Sequence, residues 1–525
     1  MLQSEKKAPV WQVIAFYAVM TAIVLYPIYT VQAPCLVDYL NHLARMHILA
    51  NIDHSEALSS SYRVHWQAIP YLAMDASFVV LNNVATIYDA GRIFIGICIL
   101  LPVFSVAMLH FVLYRQLSFV PTTAFLFCYN ALLAWGFLNY LPALCLAVIL
   151  FAGWIGSAGW PRWPRAALFS LLALALYLSH LVAFGAYCLM VGGFELGRAW
   201  RSGFCPWREI MADWLAAGLQ AIPAIILVLS VDVERPFAGP VQTVYGDLGT
   251  KWFALSSPVW FFRDHVSNML PAGFALIVLT SGLLSGRLRL ASAVLPAILA
   301  VGAAAVCMPS VLFGTYGMDF RLPLLVVLLL IGATNTTERT GRVLQSVVLG
   351  GLLALTALSS ADIATVLRKV DGQISDMRQV VSTMPRGMRL LVVNASGPVH
   401  SLAPWSTTWH MAMVAVIDRD AFVPTLFTGL STVRPAPELR DSSTPNGRPI
   451  SLSDLADGLG RRDGPAGAES SGTGQRIYWL GWEAKFDYVL IEHFDNRPSM
   501  LPANLRQVAT SSVADLYRID NTIIP

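Results

Sequence analysis

From Pro9 to about Val31 the chain is apolar almost without a break. Runs of the same character recur at 91–114, 119–135, 139–157, 165–180, 181–197, 210–231, 271–286, 290–308, 321–335 and 343–362. Stretches approaching or exceeding roughly 18 apolar residues have the length that crosses a bilayer as a helix, so the pattern predicts eleven spans. Ile69 to Val84 stands outside the series: it is short, opens at Pro70 and carries Asp75. A carboxylate buried in hydrocarbon is expensive, and a helix lying at the membrane surface is the cheaper reading. Past about residue 363 the rhythm becomes that of a soluble domain. Val366 to Met384 has a helical period, and Arg389-Leu-Leu-Val-Val-Asn394, Tyr488-Val-Leu-Ile-Glu492 and Asp515-Leu-Tyr-Arg518 are short runs of strand type.

The predicted fold class is therefore an α-helical polytopic membrane protein of about eleven transmembrane helices. Two interfacial helices lie in a first outer loop over 31–90, and a small C-terminal α/β domain closes the chain. The expected division is a membrane domain at 1–362 and a second domain at 363–525, with a flexible insert rich in Pro, Ser, Gly, Asp and Arg at 434–475.

Composition agrees with the membrane reading, at 56% hydrophobic and 13% charged residues with a mean hydropathy of +0.59. Charge sets the orientation. Lys6 and Lys7 precede the first span, and Arg115, Arg162, Arg165, Arg198, Arg201, Arg208, Arg287, Arg289, Arg339 and Arg342 all fall between spans on that same side, which the positive-inside rule makes cytoplasmic. Treating 69–84 as a true span would place these arginines outside. A net charge of +3 with no basic stripe argues against a nucleic-acid partner. Tyr26-Pro27-Ile28-Tyr29 offers no small-residue cleavage site, so the first span is expected to stay as a signal anchor. No cysteine pair has metal-ligand spacing.

Asp38, Asn41, His42 and Arg45 share one face of a helix that follows the first span, opposite Leu36, Leu40, Leu43, His47 and Ala50. Such a helix would lie along the membrane and hold a carboxylate, an amide, an imidazole and a guanidinium at the water boundary. Asp38 is the candidate base or metal-binding carboxylate, favoured in ionised form by the helix dipole; the same position also suits a plain N-cap. His42 and Arg45 fit either a lipid-linked phosphate or anionic headgroups, and His47, on the apolar side, fits a packed structural role. Asp319 and Arg321 form a second polar group at the mouth of a span, suited to a site or to anchoring the helix. His180 and Asn139, the latter in Trp135-Gly-Phe-Leu-Asn-Tyr140, lie at the same outer level, where aromatic rings suit either a sugar pocket or an interfacial belt. Lys251 and Arg263, in a loop with Trp252, Trp260, Asp264 and His265, are further phosphate candidates. The chain has no Walker loop, dinucleotide-binding glycine motif, His-Glu-x-x-His or Gly-x-Ser-x-Gly elbow. That disfavours an ATP-driven pump, a nicotinamide enzyme, a zincin and an α/β-hydrolase.

Asp38-Tyr-Leu-Asn-His-Leu-Ala-Arg45, Trp66-Gln-Ala-Ile-Pro-Tyr-Leu-Ala-Met-Asp75, Gly136-Phe-Leu-Asn-Tyr140 and Asp319-Phe-Arg-Leu-Pro323 together resemble the GT-C superfamily of integral membrane glycosyltransferases, in a branch of bacterial multi-pass proteins. The resemblance covers the spans in outline. It implies a bacterial inner-membrane enzyme with a cytoplasmic N-terminus and a periplasmic C-terminal domain. Its reaction would transfer sugar from a polyprenyl-phosphate donor to a glycan, lipid or protein acceptor at the outer face. Asp38 would then act as catalytic base, with Arg45, Arg321 or Lys251 stabilising the departing phosphate. Many members pair two acidic residues in the first loop, whereas Asp38 has no acidic neighbour before Asp53 and Glu56. No cofactor is assigned, and dependence on a divalent cation is left open. A lipid-linked glycan flippase, a polysaccharide polymerase and a non-catalytic assembly component are the competing readings.

Overall fold

The computed structural model describes residues 9–230, 243–261, 269–312, 315–395, 409–429, 431–444, 449–460, 477–494, 497–498, 500–520 and 522. Up to Ser382 the described helices in chain order are α1 (Val10–Tyr29), α2 (Tyr39–Asn51), α3 (Glu56–Ser61), α4 (Leu72–Leu81), α5 (Ile87–Tyr114), α6 (Ala131–Ala134), α7 (Tyr140–Gly156), α8 (Arg162–Ser179), α9 (Leu181–Arg201), α10 (Trp207–Leu219), α11 (Ile222–Ser230), α12 (Leu248–Leu255), α13 (Met269–Leu284), α14 (Leu295–Cys307), α15 (Pro323–Gly332) and α16 (Arg342–Ser382). Among the described residues, five stretches are long and apolar enough to cross a membrane: Val10–Tyr29, Ile87–Tyr114, Leu181–Arg201, Trp207–Ser230 and Arg342–Ser382. The rest of the apolar helices are shorter.

Two expected spans are broken. The run at 119–135 forms a tight 3-10 helix, Val120–Phe127, and then the single turn α6. Pro121 has no backbone donor, and the Asn130 side chain accepts from the backbone N–H of Leu132 and Leu133, so the chain restarts a helix there instead of continuing one. The run at 210–231 is divided between α10 and α11 around Gln220–Ala221, just before Pro223. In the opposite sense, the span expected at 343–362 and the helix expected at 366–384 are one continuous element, α16.

One end of the bundle gathers arginines. Arg162 binds Glu209 and Asp213, and Arg198 binds Glu195 and Asp213. Because α9 begins after His180 and ends at Arg201, its length of roughly 30 Å separates this end from the one that carries His180.

At the far end of α16 the chain builds a five-stranded sheet in the order Leu505–Thr510, Ala514–Ile519, Tyr488–Glu492, Leu390–Asn394, Ile450–Ser451. The first two pairings are antiparallel, and those flanking Leu390–Asn394 are parallel. Every residue of Leu390–Asn394 is buried, which is why it is apolar from Leu390 to Val393 instead of alternating. One continuous apolar cluster runs from Met20 to Ile519.

This part of the chain packs back on the first loop. Tyr62–Val64 pairs antiparallel with Val433–Pro435, and the Tyr62 hydroxyl donates to the Ala421 carbonyl. Asp420 accepts from Ser55 and Arg386 and lies 2.9 Å from His47 Nε2. The structure thus corrects the expected setting of α2. Its residues Leu40, Asn41, Leu43, Ala44 and Arg45 are all buried, so the polar face of the helix meets the C-terminal elements and not water. An amphipathic period reports two chemically different surroundings, and here the polar one is protein. His47, expected in a packed structural role, is bonded to Asp420.

Candidate functional site

Asp38 occupies the N-cap position of α2, but its side chain accepts no hydrogen bond from that helix. The plain capping role is therefore absent, and the carboxylate is turned elsewhere. Two neighbouring backbone contacts hold it: Val37 N–H donates to Ala134 O at 2.9 Å, and Asp38 N–H to Trp135 O at 3.2 Å. Gly136, at φ +77°, makes this approach possible, since a Cβ there would lie 2.8 Å from the Asp38 nitrogen. Gly136→Ala is expected to destabilise the protein by at least about 1–2 kcal/mol, the cost of a left-handed residue with a Cβ. A lower unfolding midpoint in detergent would show it.

The Asp38 side chain is 22% exposed, and its Oδ1 lies 3.5 Å from His410 Nε2. Burial lifts the carboxyl above its usual range, while His410 and the Arg321 charge pull in the other direction. His42, one turn along, has a buried Nδ1 with no hydrogen-bond partner. Burial, Arg45 and His410 bring its pKa down to about 3, so it is a neutral imidazole at physiological pH, and its ring meets that of Phe427 edge-on.

Arg321 and His180 complete the cluster. The Arg321 guanidinium sits over the rings of Phe137 and Tyr140, with its carbon 4.9 and 5.3 Å from their centroids, and the Tyr140 hydroxyl donates to the Arg321 carbonyl. His180 ends α8 and caps α9, where its Nδ1 accepts the Val182 N–H at 3.1 Å. A neutral imidazole has one accepting nitrogen, so the Val182 N–H at Nδ1 and the Arg321 guanidinium at Nε2 compete for it. That Nε2 lies 3.0 Å from Arg321 Nη1. An anionic oxygen reaching this guanidinium would be held by a charge-assisted hydrogen bond. Tyr71, held at φ 84°, packs edge-on against His180. The Asn139 carbonyl oxygen, beside Tyr140, is buried and unpartnered.

The remaining candidates are placed differently. Asn41 is fully buried and bonded to the loop at Thr425–Phe427. Arg45 Nη2 donates to both Asp75 oxygens at 3.1 Å, and Thr432 donates to the same carboxylate, so this guanidinium is engaged away from Asp38. Asp319 turns from Arg321 to Lys251, 3.7 Å away, and Lys251 also donates to the Met308 carbonyl. Arg263, with Asp264 and His265, lies outside the described residues. Among the described residues, no three His, Cys, Asp or Glu side chains gather in a way that would hold a metal ion. Sequence reasoning missed His410, Tyr71 and Phe427. Tyr71 stands in one of the segments that carried the family resemblance, but a lone histidine before an apolar run gives no local signal.

The helical bundle with its docked sheet has the fold of the GT-C glycosyltransferases. Over 97% of its length the chain superposes on 98% of the crystal structure of ArnT from Cupriavidus metallidurans bound to undecaprenyl phosphate, with a TM-score of 0.53 and 11% sequence identity. At that identity the likeness is one of fold. No family model and no curated protein matches the sequence.

Proposed function

We propose that this protein is a membrane glycosyltransferase that moves a sugar from a polyprenyl-phosphate donor to a hydroxyl of a glycan, lipid or protein acceptor. The observation that carries the reading is the buried Arg321 guanidinium, set against His180, whose charge also acts on Asp38. The ArnT likeness supports it, because that structure holds undecaprenyl phosphate.

In the proposed reaction Asp38 takes the proton of the acceptor hydroxyl as its oxygen bonds to the anomeric carbon. The bond from that carbon to the donor phosphate breaks, and its electron pair leaves with the phosphate. Arg321 stabilises the charge that accumulates there. His42 Nδ1 and the Asn139 side-chain oxygen are buried polar atoms suited to sugar or acceptor hydroxyls. The arginine-rich end would face the cytoplasm and the site the outside of the inner membrane, with the sheet at 390–519 in the periplasm. Lys251 and Asp319 would line the approach to the site.

The test is binding. Undecaprenyl phosphate at about 100 times its Kd is expected to stabilise the purified protein by roughly 2.7 kcal/mol. Arg321→Gln removes a charged hydrogen bond worth about 1.5–3 kcal/mol, so it should weaken binding some 10- to 100-fold. Undecaprenol, which lacks the phosphate, should give no shift; an equal shift with undecaprenol would refute a phosphate site at Arg321.

A further inference from the structure

The residue next to Asp38 comes from the far end of the chain. His410 is separated from Asn41 by 369 positions, yet its Nδ1 lies 3.2 Å from Asn41 Nδ2. The orientation of that amide is decided by its other partners. Asn41 Oδ1 lies 2.8 Å from the Phe427 N–H, a group that only donates, and Asn41 Nδ2 lies 3.0 Å from the Thr425 carbonyl, a group that only accepts. The amide end facing His410 is therefore a donor, and Nδ1 must accept from it. A neutral imidazole then carries its proton on Nε2, the nitrogen that faces Asp38 Oδ1 at 3.5 Å. The ring is fixed edge-on to Phe427, with centroids 4.9 Å apart, and is stacked on Trp409. His410 is 5% exposed.

We propose that His410 is the positioning residue of the Asp38 carboxylate, with Asn41 setting its tautomer, so that the site is complete only when the C-terminal elements are docked on α2. The proposal rests on Asp38 being the base of the proposed transfer. His410 itself takes no proton in the reaction. Its Nε2–H donates to Oδ1, which favours the ionised form of Asp38 and leaves the other oxygen to receive the acceptor proton. The charged and titratable groups around the pair are Arg321 and His42. His42 is neutral, so the Arg321 charge and the His410 hydrogen bond are what oppose the effect of burial on Asp38.

The experiment uses the full-length protein in detergent or nanodiscs, following release of polyprenyl phosphate against pH. Losing the donor removes an interaction that favours the anion, so in His410→Ala the acid limb of the rate profile should move up by about one pH unit. In His410→Gln, whose amide can again present an N–H to Asp38, the limb should return toward its original position. An acid limb unmoved in His410→Ala, or one that Gln leaves where Ala put it, overturns the proposal. Asp38→Asn separates the two levels of argument. If Asp38→Asn keeps full turnover, the base reading fails; if it abolishes turnover while the His410→Ala limb stays in place, only the role of His410 fails. Nitrogen-15 shifts of labelled histidine, assigned by their loss in His410→Gln, read the same geometry without any reaction. An unprotonated Nδ1 is expected, and a protonated Nδ1 overturns the tautomer assignment.

Discussion

Asp38→Asn is expected to slow sugar transfer by about 10²- to 10⁴-fold, the usual range for loss of a general base, while undecaprenyl phosphate binding and the unfolding midpoint stay close to those of the unchanged protein. The substitution preserves shape, and an amide oxygen still accepts from His410 Nε2. Helix α2 loses no cap, since the Asp38 side chain does not bond to its own helix. What disappears is the ability to take a proton. Single-turnover measurement of polyprenyl phosphate release would reveal the loss, and a variant with unchanged turnover would remove Asp38 from the chemistry. The pH dependence has a definite sign. Transfer needs the ionised carboxylate, burial raises its pKa, and so the rate should fall with decreasing pH at values above the ordinary carboxylate range. Arg321 works against that rise, so Arg321→Gln should move the acid limb to still higher pH in addition to weakening donor binding.

The second large effect concerns stability. Arg45 and Asp75 form an ion pair with side chains only 6% and 2% exposed, and the pair joins α2 to α4, while Thr432 ties it to the C-terminal elements. Asp75→Ala leaves a guanidinium in a low-dielectric interior without its carboxylate, a loss of about 3–5 kcal/mol. Arg45→Met together with Asp75→Leu removes both charges and is expected to recover most of that loss, because two desolvation penalties vanish along with the attraction. Comparing unfolding midpoints of the single and paired variants in one detergent checks this. A paired variant as unstable as Asp75→Ala alone would mean that shape, and not charge, governs the contact.

Arg45 shows how far local pattern reaches. Its place on the same helical face as Asp38 is a matter of 3.6-residue periodicity, readable from the chain. Its partner is thirty residues away on α4, and no period links the two. The carboxylate of Asp75 argued for a surface helix because hydrocarbon would not tolerate it; in the structure the same physics is met by burying it against a guanidinium. Asp319 and Arg321 are two residues apart yet face different neighbours, Lys251 and His180, because the turn between them sends their side chains apart. Asn41, with its amide committed to Thr425, Phe427 and His410, serves the site as a clamp.

The hydrophobic runs, the arginines between them and the short apolar strands after residue 363 are local quantities, and the sequence by itself determined from them a membrane protein with Asp38 as the carboxylate to examine. The tertiary structure decided what Asp38 faces. His180, Arg321 and His410 come from three distant parts of the chain, and their meeting depends on how helices pack in the bundle and where the C-terminal elements dock. Spacing along a helix fixes which side chains share a face; what that face meets is set by burial and polar pairing over the whole molecule, so the site became visible only when the chain was folded.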